Sequence, residues 1–213
     1  GARQAHYLQV QAPSVPEEKI SIIPNGVDMS LYQGTAEKVP GRVIHCSSPD
    51  RGLQHLLRFW PKVREQVPNA ELHVFYEVRR WWESVRWSMY VEGQMAWQVW
   101  RGLVDPGTPG VVYRGPIDRK ALAKEQLKSE LMIYPCDTIE PTEWFSGAIA
   151  EAMAAKAAVL TSTCDALGDF WGEHACTLGL PIVDEQWVYA AVRILQDEGL
   201  RKEATERAYQ HVR

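Results

Sequence analysis

The sequence predicts an α/β fold, a doubly wound and mainly parallel sheet closed by C-terminal helices. Two observations predict it. Short, strongly apolar segments alternate with helical ones from about residue 42 to residue 190. Those apolar segments are continuous rather than alternating in character, as in parallel strands covered on both faces.

The expected strands are RVIHC (42–46), ELHVFY (71–76), GVVYRG (110–115), LMIYP (131–135) and AAVLTS (157–162). Between them, helical character covers residues 52–67, 81–100, 118–130 and 146–156. In the first of these, Leu53, Leu56, Leu57 and Trp60 share one stripe, and Pro61 predicts a kink or break. Before the alternation come a helix over 3–12, a loop, a strand at Ile20–Ile23 and a turn at Pro24-Asn25-Gly26. After it, residues 185–212 are helical with a break expected near Gly199. The organisation expected is a leading segment (1–28), a ligand-binding domain (29–190) and closing helices (191–213).

Composition narrows the class of function. The 213 residues are 46% apolar and 23% charged, with a net charge of −4. No basic excess is present to hold a polyanion, so nucleic acid is not an expected partner. The four cysteines, Cys46, Cys136, Cys164 and Cys176, are scattered without a zinc-ligand spacing, and the six histidines form no local metal set. Reduced thiols, the absence of an opening signal segment and of an apolar run of roughly 18–20 residues predict a cytoplasmic chain, at most peripheral to a membrane.

In an open parallel sheet the ligand sits beyond the carboxyl ends of the strands. Two segments there carry chemistry. The run PCDTIEPTEWFSGAIAEAMAAK (135–156) passes from a strand through a loop into a helix of small residues. The unpaired amides of Ser146, Gly147 and Ala148 at that helix start can cradle a diphosphate. Glu143 precedes the cradle and Glu151 follows it, so two carboxylate acceptors flank an anion site. Glu151 suits a vicinal diol such as a ribose, and Glu143 suits whatever the diphosphate carries. Taken alone, the two would be a solvated loop acid and a helix-stabilising acid. The second segment, SSPDRG (47–52), offers the hydroxyls of Ser47 and Ser48 and the fixed charge of Arg51, able to grip phosphate; its plainer reading is a capping turn. His45 ends a strand beside this region and reads first as a satisfied strand-end histidine.

Together, IPNGVD (23–28), SSPDRG (47–52), VVYRGPID (111–118) and EWFSGAIAEAMAAK (143–156), with its Glu-x7-Glu spacing, resemble the family-4-type retaining glycosyltransferases of the GT-B fold. The resemblance runs from about residue 20 to near the end of the chain. It implies a Rossmann-like donor-binding C-terminal domain and a transferase of the hexosyltransferase type. The donor would be a nucleoside diphosphate sugar, with no cofactor or metal, and the acceptor an unspecified glycan, lipid or protein. It also implies that the chain starts near the crossover from an acceptor-binding N-terminal domain, as a truncated chain, a natural fragment or a degenerate enzyme lacking that half.

By position, the resemblance gives Glu143 the donor sugar hydroxyls and Glu151 the ribose, while Trp144, Phe145, Ser146 and Gly147 line the phosphate and sugar. Arg51 would stabilise the leaving diphosphate, and Arg114, Pro116 and Ile117 would meet the nucleobase. Three positions depart from the pattern. Cys46 stands where an Arg is usual, FYEVRR (75–80) lacks the glycine usual after the second strand, and Lys156 ends the Glu-x7-Glu helix in place of a small residue.

Nine tryptophans are present, five of them between Trp81 and Trp100. They read as packing, as an apolar face left bare by a missing domain, or as a platform for a sugar ring. A noncatalytic glycosyltransferase-like module for protein contact is the alternative function. A nicotinamide-dependent oxidoreductase is excluded, since no Gly-x-Gly-x-x-Gly follows the first strand.

Overall fold

The computed structural model describes every residue except Gly1, Ile22, Pro24, Thr35, Tyr90, Asp105, Pro106 and residues 139–141. The described chain opens with helix α1 (Ala2–Gln11) and two short 3₁₀ turns, Glu17–Lys19 and Met29–Tyr32. Strands and helices then alternate: β1 (Arg42–His45), α2 (Leu53–Gln66), β2 (Glu71–Val74), α3 (Val78–Val85), α4 (Val91–Leu103) and β3 (Val111–Tyr113). They continue with α5 (Arg119–Lys128), β4 (Leu131–Tyr134), α6 (Gly147–Ala154), β5 (Ala158–Ser162), α7 (Leu167–Trp171) and β6 (Cys176–Leu178). Two helices close the chain, α8 (Asp184–Gln196) and α9 (Glu198–Val212).

The strands form one parallel sheet in the order β3-β2-β1-β4-β5-β6. Successive side chains leave a strand on opposite faces, so the apolar runs feed two cores. Val43, Leu131, Ile133 and Leu160 pack on one face against α2, α4 and α8. Ile44, Met132, Tyr134 and Val159 pack on the other against α6, α7 and α9. Burial on both faces is the physical reason that continuous apolar runs marked these strands.

Pro61 neither ends nor splits α2, which runs from Leu53 to Gln66 around it. A proline inside a helix costs about 3 kcal/mol. Leu53, Leu56, Leu57, Phe59, Trp60 and Val63 are all buried along this helix, each worth roughly 1.5–3 kcal/mol. The packed stripe outweighs the lost hydrogen bond.

Other expectations are corrected by local chemistry. Residues 81–100 form two helices rather than one, and the first begins at Val78 because the Glu77 side chain accepts from the Arg80 amide. The break near Gly199 falls at Asp197, whose carboxylate caps α9 by accepting from the Leu200 amide at 2.9 Å. Ile20, Ser21 and Ile23 belong to no strand; Ile22 of that segment, and Pro24 of the expected turn, lie outside the described residues. Strand β6 and the five-residue α7 went unpredicted, being too short to show a period.

The tryptophan-rich pair α3–α4 packs on α2 through buried Ala96, Val99 and Leu103. On its outer side Trp82 stacks on Trp100 at 4.5 Å, and the Arg86 guanidinium lies over both Trp82 and Trp87, at 4.4 and 4.3 Å from the ring centroids. Trp87 and Trp97 remain exposed. Among the described residues, no helix is long and apolar enough to cross a membrane.

Candidate functional site

From β1 the sheet grows through β2 to β3 in one direction, and from β4 through β5 to β6 in the other. The chain therefore opens a crevice at the carboxyl ends of β1 and β4, the switch point where open α/β sheets bind ligands. Ser47 follows β1 and Tyr134 ends β4, and their hydroxyls lie 3.3 Å apart. Over them lies a cavity of about 550 Å³, lined by Ser47, Tyr134, Thr142 to Ala148, Phe170, Ile23 and Asn25.

The segment carrying Glu143 is tied down from three sides. Asp165, held at a φ of 47°, accepts through Oδ2 from Thr138 Oγ1 at 2.7 Å and from the amides of Thr142 and Glu143 at 3.1 and 3.0 Å. The Glu143 carbonyl accepts from the Ala166 amide, and the Phe145 carbonyl accepts from Trp171 Nε1 at 2.6 Å. Ser146 then turns the chain in the left-handed region, at a φ of 61°, and its hydroxyl caps α6 by accepting from the Ile149 amide. Such strained residues persist only where their surroundings fix them, and they gather at ligand sites.

Glu143 is buried, with only 7% of its surface exposed, so it is no solvated loop acid. Tyr134 donates its phenolic proton to Glu143 Oε2 at 2.5 Å, and Arg51 Nε stands 3.6 Å from the same oxygen. Burial, and next the neighbouring Glu143 charge, push the Tyr134 phenol upward, so it stays protonated and remains a donor. Arg51 Nη1 also donates to Thr142 Oγ1 at 2.7 Å. Replacing Tyr134 by Phe removes the neutral donor and leaves the buried carboxylate to Arg51. The expected cost is about 1–2 kcal/mol in chemical denaturation. A change of only a few tenths would show that Arg51 suffices.

The structure thus brings Ser47, Glu143, Trp144, Phe145, Ser146, Gly147 and Ala148 to one cavity, with Arg51 against Glu143 from the side. A Cβ added at Gly147 meets nothing within 4 Å, so open space stands over the start of α6. Ser48 belongs to the turn before α2, its carbonyl accepting from the Arg51 amide. Glu151 does not line the cavity; it lies on α6 and pairs with Arg119 at 3.2 Å. Arg114, Pro116 and Ile117 also lie outside it, beyond the edge strand β3, where Arg114 Nε donates to His73 Nδ1 at 3.4 Å.

Cys46 is shielded by a buried relay in which Tyr32 donates to Gln126 and Gln126 donates to Cys46 Sγ. Burial pushes the Cys46 thiol up to about 12, so it is neutral and replaces no cation. His45 is fully buried; its Nδ1 lies 3.1 Å from the Ile133 carbonyl and its Nε2 has no partner among the described residues. Among the described residues, no group of three or more His, Cys, Asp or Glu side chains is placed to hold a metal ion.

Sequence reasoning missed Tyr134 and Asp165. A polar residue at the last position of an otherwise apolar buried strand was the available signal for Tyr134. Asp165 joins Glu143 only through the pairing of β4 with β5, which no local pattern reveals.

No protein-family model matches the sequence, and no curated protein does. Solved structures match in fold. A mutant of TarM from S. aureus, in complex with fondaparinux, alpha-GlcNAc-glycerol and UDP, superposes with a TM-score of 0.69 at 15% identity over 98% of this chain and 38% of that chain. Sucrose-phosphate synthase from Thermosynechococcus elongatus gives 0.72 at 17% identity, over 100% of this chain and 52% of that one. The C-terminal domain of a glycosyl transferase group 1 family protein, LpcC from Francisella tularensis, gives 0.59 at 16% identity over 89% and 92% of the two chains. The chain therefore spans about two fifths to one half of the first two proteins and shares the Rossmann-like fold of GT-B glycosyltransferases.

Proposed function

We propose that the chain is the donor-binding part of a retaining glycosyltransferase of the family-4 type, holding a nucleoside diphosphate sugar over the β1/β4 crevice for transfer to an acceptor. One observation carries this reading. A buried carboxylate, Glu143, is fixed by Tyr134 and Arg51 in the lining of the switch-point cavity, four residues before a helix start with open space above it. The α6 amides would take the diphosphate, Glu143 the sugar hydroxyls, and Arg51 the charge that grows as the diphosphate departs. The UDP in the TarM structure is in keeping with such a donor.

The ribose would reach along α6 to Glu151, exchanging the partly exposed contact with Arg119 for two hydroxyl donors. Arg114, Pro116 and Ile117 would then meet the base only if the loop after β3 closes inward. A further domain would complete the acceptor side, and this chain by itself would transfer weakly or not at all.

Calorimetric titration with UDP, GDP and ADP tests the reading. One of the three should bind, and Glu151→Ala should weaken it by on the order of 10- to 100-fold, the value of charged hydrogen bonds. Binding unchanged by Glu151→Ala removes the ribose assignment. If no nucleotide binds or raises Tm while the chain self-associates through Trp87 and Trp97, it is instead a noncatalytic contact module.

A further inference from the structure

Arg51 and Thr142 separate the cavity above from a second one of about 370 Å³, lined by Asp50, Arg51, Gln54, Val91, Glu92, Met95, Asp137, Thr138 and Thr142. Thr142 borders both spaces, so their occupants would be neighbours. Three elements meet here: the turn entering α2, the segment after β4, and the first turns of α4. The size falls within the range of small-molecule clefts, about 300–1,000 Å³.

The lining selects a class of ligand. Among the described residues lining it, three carboxylates, Asp50, Glu92 and Asp137, face a single cation, Arg51, whose guanidinium already serves Thr142 and stands beside Glu143 and Asp50. Phosphate or another anion is therefore repelled. Acceptor capacity is in excess: Asp50 Oδ1 and Gln54 Oε1 are buried without hydrogen-bond partners among the described residues. Asp137 is oriented by His55, whose Nε2 lies 2.5 Å from Asp137 Oδ2. Val91 and Met95 supply an apolar wall, and Thr138 and Thr142 supply hydroxyls. Many acceptors, few cations and one apolar wall suit a molecule rich in hydroxyl donors with a C–H face, which describes a pyranose ring.

We propose that this second cavity binds a saccharide and that, if the first cavity holds the donor as argued above, this saccharide is the acceptor of transfer. The acceptor class is thereby narrowed from glycan, lipid or protein to one presenting a sugar unit. That second clause rests on the donor reading; saccharide binding does not.

The test is NMR of the full chain with labelled methyl groups, titrated with methyl α-D-glucopyranoside, methyl β-D-galactopyranoside and N-acetylglucosamine, with ethylamine as a small-cation control. At least one glycoside should shift the Met95 and Thr138 methyls to saturation, while ethylamine does not. Gln54→Leu and Asp50→Asn should each weaken that glycoside roughly fivefold, the worth of one net hydrogen bond of about 1 kcal/mol. Both variants should keep wild-type signals at the buried Met153 and Ile149 methyls, which separates lost binding from lost folding. UDP is titrated separately and read at Ala148. Glycoside shifts at Met95 together with UDP binding support both clauses. Glycoside shifts without any nucleotide binding keep the saccharide site and remove its role as acceptor. UDP binding with no glycoside shift at Met95, or ethylamine shifting Met95 when no glycoside does, overturns the proposal and leaves the donor reading standing.

Discussion

Gly52→Ala should lower stability by about 3 kcal/mol or more and Tm by roughly 10 °C, since a Cβ there meets main chain more closely than at any other described glycine. Gly52 caps α2 in the left-handed region at a φ of +88°, and a Cβ built there would lie 1.8 Å from the Pro135 carbonyl oxygen. The backbone conformation alone costs an L-residue about 1 kcal/mol. The clash adds more, because the obstacle is main chain at the end of β4 and cannot rotate away. To relieve it, α2 must move away from β4, which also shifts Arg51 from Glu143. Thermal and chemical denaturation of Gly52→Ala check the stability, and nucleotide titration checks the site. Gly179→Ala is the control, since its Cβ meets nothing within 4 Å, and it should change stability by less than about 0.5 kcal/mol. A Gly52→Ala protein as stable as Gly179→Ala would show that the α2 entrance is far softer than its geometry implies.

The second large effect concerns acid. His45 is fully buried, its Nε2 without a partner among the described residues, and burial holds it well below the usual histidine range, at about 4 against 6.5. Between these values the unfolded chain binds a proton that the folded chain refuses, so stability rises with pH across the window. The contribution is complete above about pH 6.5 and is lost as pH falls toward 4. At 1.36 kcal/mol per unit the loss from His45 approaches about 3 kcal/mol. His73, held low mainly by burial, and His211, held low by burial and then by the stacked His174, act in the same direction. Urea denaturation at pH 7, 5.5 and 4.5 measures the slope. His45→Gln should flatten most of it, whereas an unchanged slope in that variant would assign the acid sensitivity elsewhere.

Much of the fold was legible because the central strands are buried on both faces, a property written into consecutive residues such as Leu131, Met132 and Ile133. The start of α6 was legible because Ser146 and Gly147 precede a run of small apolar residues. What escaped depends on partners distant in sequence. Pro61 looks like a breaker until the six buried side chains around it are counted. The edge strand β6 carries only three half-buried residues, too few for any periodicity. Glu143 stands out by its spacing, but its burial against Tyr134 and Arg51 is not written in its own segment. The Glu-x7-Glu pair itself proves to be two separate stations, one inside the switch-point cavity and one beside Arg119.

The three hydrogen bonds that Asp165 accepts have a consequence for how the chain can be altered. The Glu143 segment is not a self-contained insert: the carboxylate that shapes it arrives with a different strand, more than twenty positions later. A loop transplanted from a relative without its counterpart to Asp165 would therefore arrive unshaped, and recombination breakpoints between residues 143 and 165 should be poorly tolerated. The heritable unit is the β4-loop-α6-β5-turn block taken whole.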